Sequence, residues 1–516
     1  MKYPIGIQNF ESLIKEGYLY IDKTDLLYRL VTEGKFYFLS RPRRFGKSLI
    51  ISTLDAYFQG KRHLFEGLAI SGKENDWEQY PVLHLDMNVD NYVSEESLEN
   101  VLDDYLNRWE TMYGVSTKAK SAPLRFKNVI LAAYEKTGKS VVVLVDEYDK
   151  PLLQSFDNEK LQNSIRDALK AFYGILKPMG GYVRFGFFTG VTKFSKVSVF
   201  SDLNNLDDIT MWDDFATLCG ITEEEIRERL DDEITLMAEK LQIRKENCYK
   251  KLRDFYDGYH FCPHAKGVYN PFSLFTALKR KTFGSYWFET GTPTFLVEVM
   301  KQNDYQIKNL EQETATPDLL GSMDSIKHTP ISLLFQSGYL TITGYEEEFN
   351  MFHLGFPNLE VNEGFSKYLL PYYSPINKGQ EGFFIVNFVK EFRQGQPELF
   401  MKRLDGLFAD GNYQIIGNAE KYFHNAVYII FKLLGFYVEV EHATSDGRID
   451  LLVKTKDYIY VLEFKVNESA DAALKQIEEK QYTKPFETDR RKLYKIGVNF
   501  STETRRIEEW MIKEQN

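Results

Sequence analysis

The chain is expected to be α/β: a parallel sheet covered by helices on both faces, a helical, winged-helix-like middle region, and a second, smaller α/β domain. Three observations predict this. Short apolar runs recur at 36–39, 81–87, 141–146 and 182–191, and segments of helical length at 95–109, 124–136 and 159–176 fill the gaps between them. Strands alternating with helices build a parallel sheet clothed on both sides. The uninterrupted run VVVLV at 141–145 suits a strand buried on both faces.

The elements follow in order. Phe36 to Leu39 reads as a strand closing at Ser40, and RPRRFGKS follows it at 41–48. LIISTLDAYFQG then shows helical spacing and stops at Gly60. From about Asp207 the composition turns acidic, through Asp208, Asp213, Asp214 and Glu223 to Glu225. That pattern reads as a solvated helical lid rather than an acidic docking site. Residues 301–405 mix helices with the short runs TITGY and MFHLGF, a helical region with a wing-like hairpin. The last hundred residues change style again. An amphipathic helix at 418–434, strands at 437–441, 448–454 and 458–466, a helix at 470–486, a strand at 492–500 and a final helix at 503–513 form a compact unit. The expected division is 1–205, 206–300, 301–405 and 411–516.

Composition bounds the function. The chain has 516 residues, 43% of them hydrophobic and 27% charged, which excludes a disordered or collagen-like chain. A formal charge of -11 excludes a protein that coats nucleic acid non-specifically, so any such contact must be a local patch. Cys219, Cys248 and Cys262 form no Cys-x-x-Cys pair and suit a reducing compartment. No apolar run approaches the ~18 residues a spanning helix needs, and MKYPIGIQNFESL lacks a signal peptide's apolar region. The expectation is a cytoplasmic protein with no membrane partner.

Two constellations carry chemistry. The first is FGKS. A phosphate loop needs inward backbone N–H groups, a lysine for the β/γ-phosphates and a Ser or Thr for Mg²⁺, all before a helix whose N-terminus favours anions. Gly46, Lys47 and Ser48 supply its end, although Arg41 stands where the first glycine of G-x-x-x-x-G-K-[ST] is expected. The strand VVVLVD ends in Asp146, suited to Mg²⁺, and Glu147, suited to polarising water. The strand ending FFTGVTKFS offers Thr189 and Thr192 at its tip as sensors of the γ-phosphate. The bland alternatives are a surface turn and a solvated strand end. The second constellation is GRID at 447–450 with EFK at 463–465. Glu463 and Lys465 share one face of a strand, and a hairpin can bring Asp450 beside Glu463. Hard oxygen ligands beside a cation suit metal-dependent phosphodiester cleavage, and Glu420 adds a further carboxylate upstream. Gln476 and Tyr482 follow on the next helix. The competing reading is a cross-strand salt bridge of Lys465 with Asp450 or Glu463. His260, Cys262 and His264 in HFCPH make a poor tetrahedral zinc set and are read as structural.

YLYIDKTDLL, FLSRPRRFGKSL, LDAYFQGKRHLFEGL, VLVDEYDKP, FFTGVTKFS, LNNLDDIT, FYDGYHF, VYNPFSLF and WFETGTPTFL, across roughly residues 3–300, resemble the AAA-ATPase-like family of bacterial P-loop proteins. The resemblance implies an additional-strand P-loop ATPase fold in which RPRRFGKS is the normal loop. It implies ATP and Mg²⁺ as cofactors, phosphate binding by Arg43, Arg44, Phe45, Gly46, Lys47 and Ser48, and metal and water activation by Asp146 and Glu147. Sites of this kind are often completed by a neighbour's arginine, which implies a homo-oligomer. EKYFHNAVYIIFKLLGFYVEVE, TSDGRIDLLV, YIYVLEFKV and ALKQIEEKQY, within about 411–500, resemble the PD-(D/E)XK nuclease superfamily. That resemblance implies Mg²⁺ or Mn²⁺ on Asp450 and Glu463, catalysis by Lys465, a helper role for Glu420 and a weaker one for Gln476. The expected function is an ATPase whose nucleotide state controls a nuclease acting on nucleic acid, DNA before RNA, in defence against or processing of foreign DNA. The alternative is a nucleotide-dependent signalling switch whose last domain binds nucleic acid or a partner without cutting.

Overall fold

The structure is a computed structural model. It describes the chain except residues 117–118, 194–198, 201–202, 204, 289–295, 298, 301–304, 306, 308–309, 311–312, 322–329, 375–380, 410–418, 443–450 and 516. The chain forms two compact units, Met1–Val299 with Glu311–Val361, and Met300–Leu310 with Asn362–Asn516.

The first unit is built on strands β1 (Phe36–Ser40), β2 (Val82–Asp86), β3 (Val141–Asp146), β4 (Val183–Gly190) and β5 (Asp207–Asp208). They run parallel in the order β2-β3-β4-β1-β5. Every residue of β1 and β3 is buried, as expected for strands covered on both faces, whereas edge strand β2 alternates. β4 is inserted between β1 and β3, so this is the additional-strand P-loop arrangement. The chain order reverses beside β1, and in open parallel sheets that crevice, at the carboxyl ends of the strands, takes the ligand. β5 corrects the acidic-lid expectation at its start. Asp207 and Asp208 pair with Tyr37 and Phe38 as the fifth strand, so the sheet runs past residue 205. A two-residue strand carries no periodicity, which is why it was illegible. The helices Glu223–Arg229, Asp231–Leu241, Lys245–Tyr256 and Pro271–Arg280 follow it. They share a core of Ile226, Ile234, Leu252, Tyr256, Leu274 and Phe275.

The wing-like hairpin is present as β7 (Thr341–Glu346) and β8 (Met351–Gly355), with β6 (Thr314–Ala315) on the far side of β8. It belongs to the first unit, whereas the helices Glu381–Arg393 and Pro397–Ala409 belong to the second. The stretch 301–405 is thus shared between the two units.

In the second unit a sheet of order β13-β12-β11-β10-β9 is formed by β9 (Glu439–His442), β10 (Leu451–Lys454), β11 (Tyr458–Val466), β12 (Lys492–Ser501) and β13 (Arg506–Gln515). β11 and β12 are parallel and joined through the helix Ala470–Glu479, while the other pairs are antiparallel. Tyr460 Oη donates to the Phe392 carbonyl at 2.7 Å, fastening the helix Glu381–Arg393 to the sheet. Two sequence expectations fail here. The segment read as a final helix is β13, paired with β12 from Leu493↔Gln515 to Ser501↔Arg506. Its charged residues favour a helix locally, but the open edge of β12 offers a complete ladder of backbone hydrogen bonds. The helix expected over 470–486 stops at Glu479, after which Gln481 takes a left-handed conformation at φ 54°.

Candidate active site

The loop after β1 is arranged by its own backbone. Gly46 caps the helix Lys47–Phe58 at φ 96°, a conformation that favours glycine. Arg44 is also left-handed, at φ 69°. Lys47 is buried, and its Nζ donates to the carbonyls of Arg41 at 3.0 Å and Pro42 at 3.1 Å. The ammonium therefore lies within the curl of the loop. Arg41 is not a ligand-facing cation. It is 1% exposed, donates from Nη1 to the Thr210 carbonyl at 2.7 Å and lies 4.1 Å from the centre of the Phe261 ring. Burial pushes its guanidinium below the usual arginine range. Where a glycine is expected, a buried arginine ties the loop to the segment after β5.

At the tip of β3 the carboxylates separate into roles. Asp146 is buried and accepts from Thr189 Oγ1 at 2.6 Å and from the Glu147 N–H at 3.1 Å. Glu147 takes φ 51°, an uncommon conformation for a side chain-bearing residue. Burial raises its pKa, Asp149 and Asp146 raise it further, and Lys47 and Arg43 oppose the rise. Asp149 was not singled out in the sequence. It is 1% exposed and holds the end of β4 through the N–H groups of Val191 (3.1 Å) and Thr192 (2.6 Å) and through Thr192 Oγ1 (2.6 Å). Burial raises its pKa as well. Gly190 makes this approach possible, because a Cβ there would stand 2.5 Å from Asp149 Oδ1.

One cavity of about 470 Å³ gathers much of this set. Arg43, Arg44, Gly46, Lys47, Ser48 and Glu147 line it, together with Asp149, Lys150 and Asn88. Asp146, Thr189 and Thr192 stand behind it, buried. Both threonine hydroxyls are already bonded to Asp146 and Asp149, so they set the carboxylates rather than present free groups. The Phe45 ring is buried against Tyr259 and Phe261, so what this residue offers to the loop is its backbone. Near the same loop Cys262 is buried and its thiol is pushed up to about 12. The His260 N–H donates to Thr341 Oγ1 at 2.7 Å, and His264 packs on Tyr345, so HFCPH is divided among separate partners. Among the described residues no group of three or more His, Cys, Asp or Glu is placed to hold a metal ion.

In the second unit Glu463 and Lys465 lie on β11, and Gln476 lies on the helix crossing to β12. Lys465 Nζ donates to Gln476 Oε1 at 2.6 Å, and Gln476 Nε2 donates to Glu463 Oε1. Glu463 is 2% exposed, so a carboxylate stands deep in the sheet with a polar chain leading from it to an ammonium. Asp450 lies outside the described residues. Described pairing begins one residue later, at Leu451↔Leu462. Glu420 falls within the helix Ala419–Leu434, and its side chain also lies outside the description. Tyr482 follows that crossing helix rather than lying on it, and it is buried.

Comparison with known proteins matches these two sites to two domain families. Residues 4–200 match a predicted AAA-ATPase domain, and residues 418–510 match the PD-(D/E)XK nuclease superfamily. An uncharacterized protein from the vnfD 5′ region of Azotobacter chroococcum mcd 1 is 36% identical over 518 residues, covering 98% of each chain. This chain belongs to the predicted AAA-ATPase family and carries a PD-(D/E)XK nuclease superfamily domain. Among solved structures the Aeropyrum pernix ORC2 protein, in its ADPNP–ADP complexes, matches at 11% identity over 69% of this chain and 90% of that chain. Its TM-score is 0.23, a likeness too distant to carry an argument. The AAA-ATPase domain's five-stranded parallel sheet and the nuclease-superfamily domain's mixed sheet are the frames on which the two candidate sites stand. No described helix is long and apolar enough to cross a membrane.

Proposed function

We propose that this chain binds and hydrolyses ATP, and that its nucleotide state controls a metal-dependent nuclease acting on DNA. The observation that carries the first half is convergence. Lys47, Ser48 and Glu147 come from two different strand ends and line one cavity at the carboxyl edge of a parallel sheet. The residues fit a nucleoside triphosphate with Mg²⁺. Lys47 offers an ammonium that donates to carbonyls of its own loop, Ser48 and Asp146 offer oxygen ligands, and the loop residues Arg43 and Arg44 add exposed cations. Mg²⁺, when bound, would neutralise phosphate charge. Lys47 donates to the β/γ-phosphates, and Glu147, whose pKa burial raises, takes a proton from the attacking water. Thr189 and Thr192 keep Asp146 and Asp149 in position.

In the nuclease-superfamily domain, Asp450 and Glu463 would hold Mg²⁺ or Mn²⁺, with Glu420 as a helper. Lys465 would orient water or steady the charge developing on the phosphate, and Gln476 sets the distance between Glu463 and Lys465. The protein is read as a cytoplasmic homo-oligomer that defends against or processes foreign DNA. A second reading rests on the Glu463–Gln476–Lys465 chain. It is a satisfied hydrogen-bond network, and such a network also serves a domain that binds nucleic acid or a partner without cutting.

The test is purified protein with plasmid DNA and Mg²⁺ or Mn²⁺, with and without ATP. Cleavage lost in Glu463→Ala and Lys465→Ala supports the nuclease. Absence of cleavage of single- and double-stranded DNA and RNA in every nucleotide state, with stability indifferent to Mn²⁺, selects the binding reading.

A further inference from the structure

We propose that β13 is a pairing edge for a second copy of this chain, two β13 strands meeting antiparallel across a two-fold axis at Met511. The proposal names an interface for the homo-oligomer read above and does not depend on the nucleotide site. β13 is the outermost strand of its sheet: β12 lies on one side of it, and among the described residues no strand lies on the other. It is ten residues long, and its pairing with β12 is unbroken from Glu509 to Gln515. Alternate residues of an antiparallel edge strand point their N–H and C=O groups away from the sheet, so the open side is a row of donors and acceptors. Natural edges are commonly blunted by short length, proline or lysine. RIEEWMIKEQ is long, has no proline, and has a single lysine, Lys513.

The residues of the strand decide what fits this edge. From Glu509 to Lys513 it reads Glu-Trp-Met-Ile-Lys. Laid antiparallel on a second copy with Met511 opposite its counterpart, Glu509 faces Lys513 and Trp510 faces Ile512, each pair occurring twice. Opposite charges meet and apolar side chains meet, the cross-strand matches that stabilise a ladder, and the contact is self-complementary as a two-fold interface requires. A slip of one residue sets Glu509 against Ile512 or against Glu514, so this register alone matches charge with charge and apolar with apolar. The side chains are accessible. Glu509, Met511 and Lys513 are exposed, and Trp510 and Ile512 are half-buried. Glu509 uses Oε2 to accept from the Ala470 N–H at 3.0 Å, and among the described residues its Oε1 has no hydrogen bond. Lys513 Nζ lies 3.7 Å from Glu478 Oε1 and keeps half its side chain in solvent. The ladder also has a built end. Glu508 is skipped in the pairing with β12, and this bulge bends the strand before Glu508 comes opposite Glu514.

The experiment uses the full chain without nucleotide. Wild type, Lys513→Glu, Glu509→Lys and an equal mixture of the two variants are compared by sedimentation velocity, with melting curves to confirm folding. Met511→Cys is mildly oxidised and run on a non-reducing gel; the three native cysteines are buried, so a cross-link reports position 511. Wild type is expected to dimerise, and each single variant to weaken the dimer by about tenfold or more, because like charges then face each other twice. The mixture should recover the dimer, since positions 509 and 513 are again opposite in sign across the interface, and Met511→Cys should become a covalent dimer. Lys513→Glu and Met511→Cys leave the Glu509 contact to Ala470 in place, so they decide the question even if Glu509→Lys fails to fold. A folded Lys513→Glu that dimerises as wild type does, with no cross-link in Met511→Cys, overturns the proposal and assigns the oligomer to another surface. Wild type that is monomeric alone and oligomeric with MgATP also overturns it, while the homo-oligomer reading stands. A monomer in both conditions removes the two together.

Discussion

Single carboxylates in this protein differ by what surrounds them. Asp146 is bonded to Thr189 and to the next backbone N–H, Asp149 is sequestered by the end of β4, and Glu147 is left facing the cavity. Glu147→Gln should therefore retain nucleotide and reduce hydrolysis by about 10²–10⁴-fold, the range for a lost general base. A wild-type rate in that variant would remove Glu147 from the mechanism. The pH dependence follows from the same neighbours. Glu147 must be ionised to accept a proton, and burial with Asp149 and Asp146 raises its pKa. The acid limb of the hydrolysis rate should thus lie above the ordinary carboxylate range. Arg43 lowers that pKa, so Arg43→Ala should move the limb to higher pH. A limb that stays in place, measured as kcat against pH, would show that another group controls it.

At the scale of elements, β4 matters more than its length suggests. It separates β1 from β3, and its end is where Asp149 fastens the loop that follows. Gly190→Ala places a methyl 2.5 Å from Asp149 Oδ1 and 2.8 Å from the Tyr148 ring. The expected cost is about 1–3 kcal/mol from overpacking, read as a lowered melting temperature, with weaker ATP hydrolysis because Asp149 must move. Unchanged melting and unchanged hydrolysis would show that Asp149 does not hold this geometry. β13 makes the complementary point. Its sequence, RIEEWMIKEQ, has the charged composition of a surface helix, yet it closes the edge of β12. An unpaired strand edge is a strong enough demand to override local preference.

For the whole molecule, the chain joins a predicted AAA-ATPase domain to a nuclease-superfamily domain, each with its own sheet. Lys47→Ala should abolish ATP binding, because it removes a charge-assisted contact to the phosphates. If nucleotide state controls cleavage, the same substitution should change the rate at which DNA is cut. Identical cleavage by wild type and Lys47→Ala, with and without ATP, would mean two independent activities in one chain. In the other direction, Glu463→Ala should lose metal affinity and cleavage, whereas Lys465→Ala should retain metal and lose cleavage. Both should leave ATP hydrolysis unchanged. Calorimetry with Mn²⁺ beside cleavage and ATPase assays separates these outcomes from a purely structural network, whose disruption lowers stability without regard to metal.

The sequence by itself determined the strand–helix alternation, the parallel core and the short motifs that carry chemistry. Buried strands and glycine-lysine-serine loops leave signals in neighbouring residues. FGKS, the DE pair after VVVLV and the EFK strand were legible for that reason. Only the tertiary structure decided what depends on distant partners. Asp149 gains its place from Val191 and Thr192, Arg41 from Thr210 and Phe261, and β5 from pairing with β1. Residues 4–8 and Phe272 line one cavity although more than two hundred and fifty positions of sequence separate them. No local pattern records such meetings, because a residue's burial and its hydrogen-bond partners are properties of the packed chain and not of its neighbours in sequence.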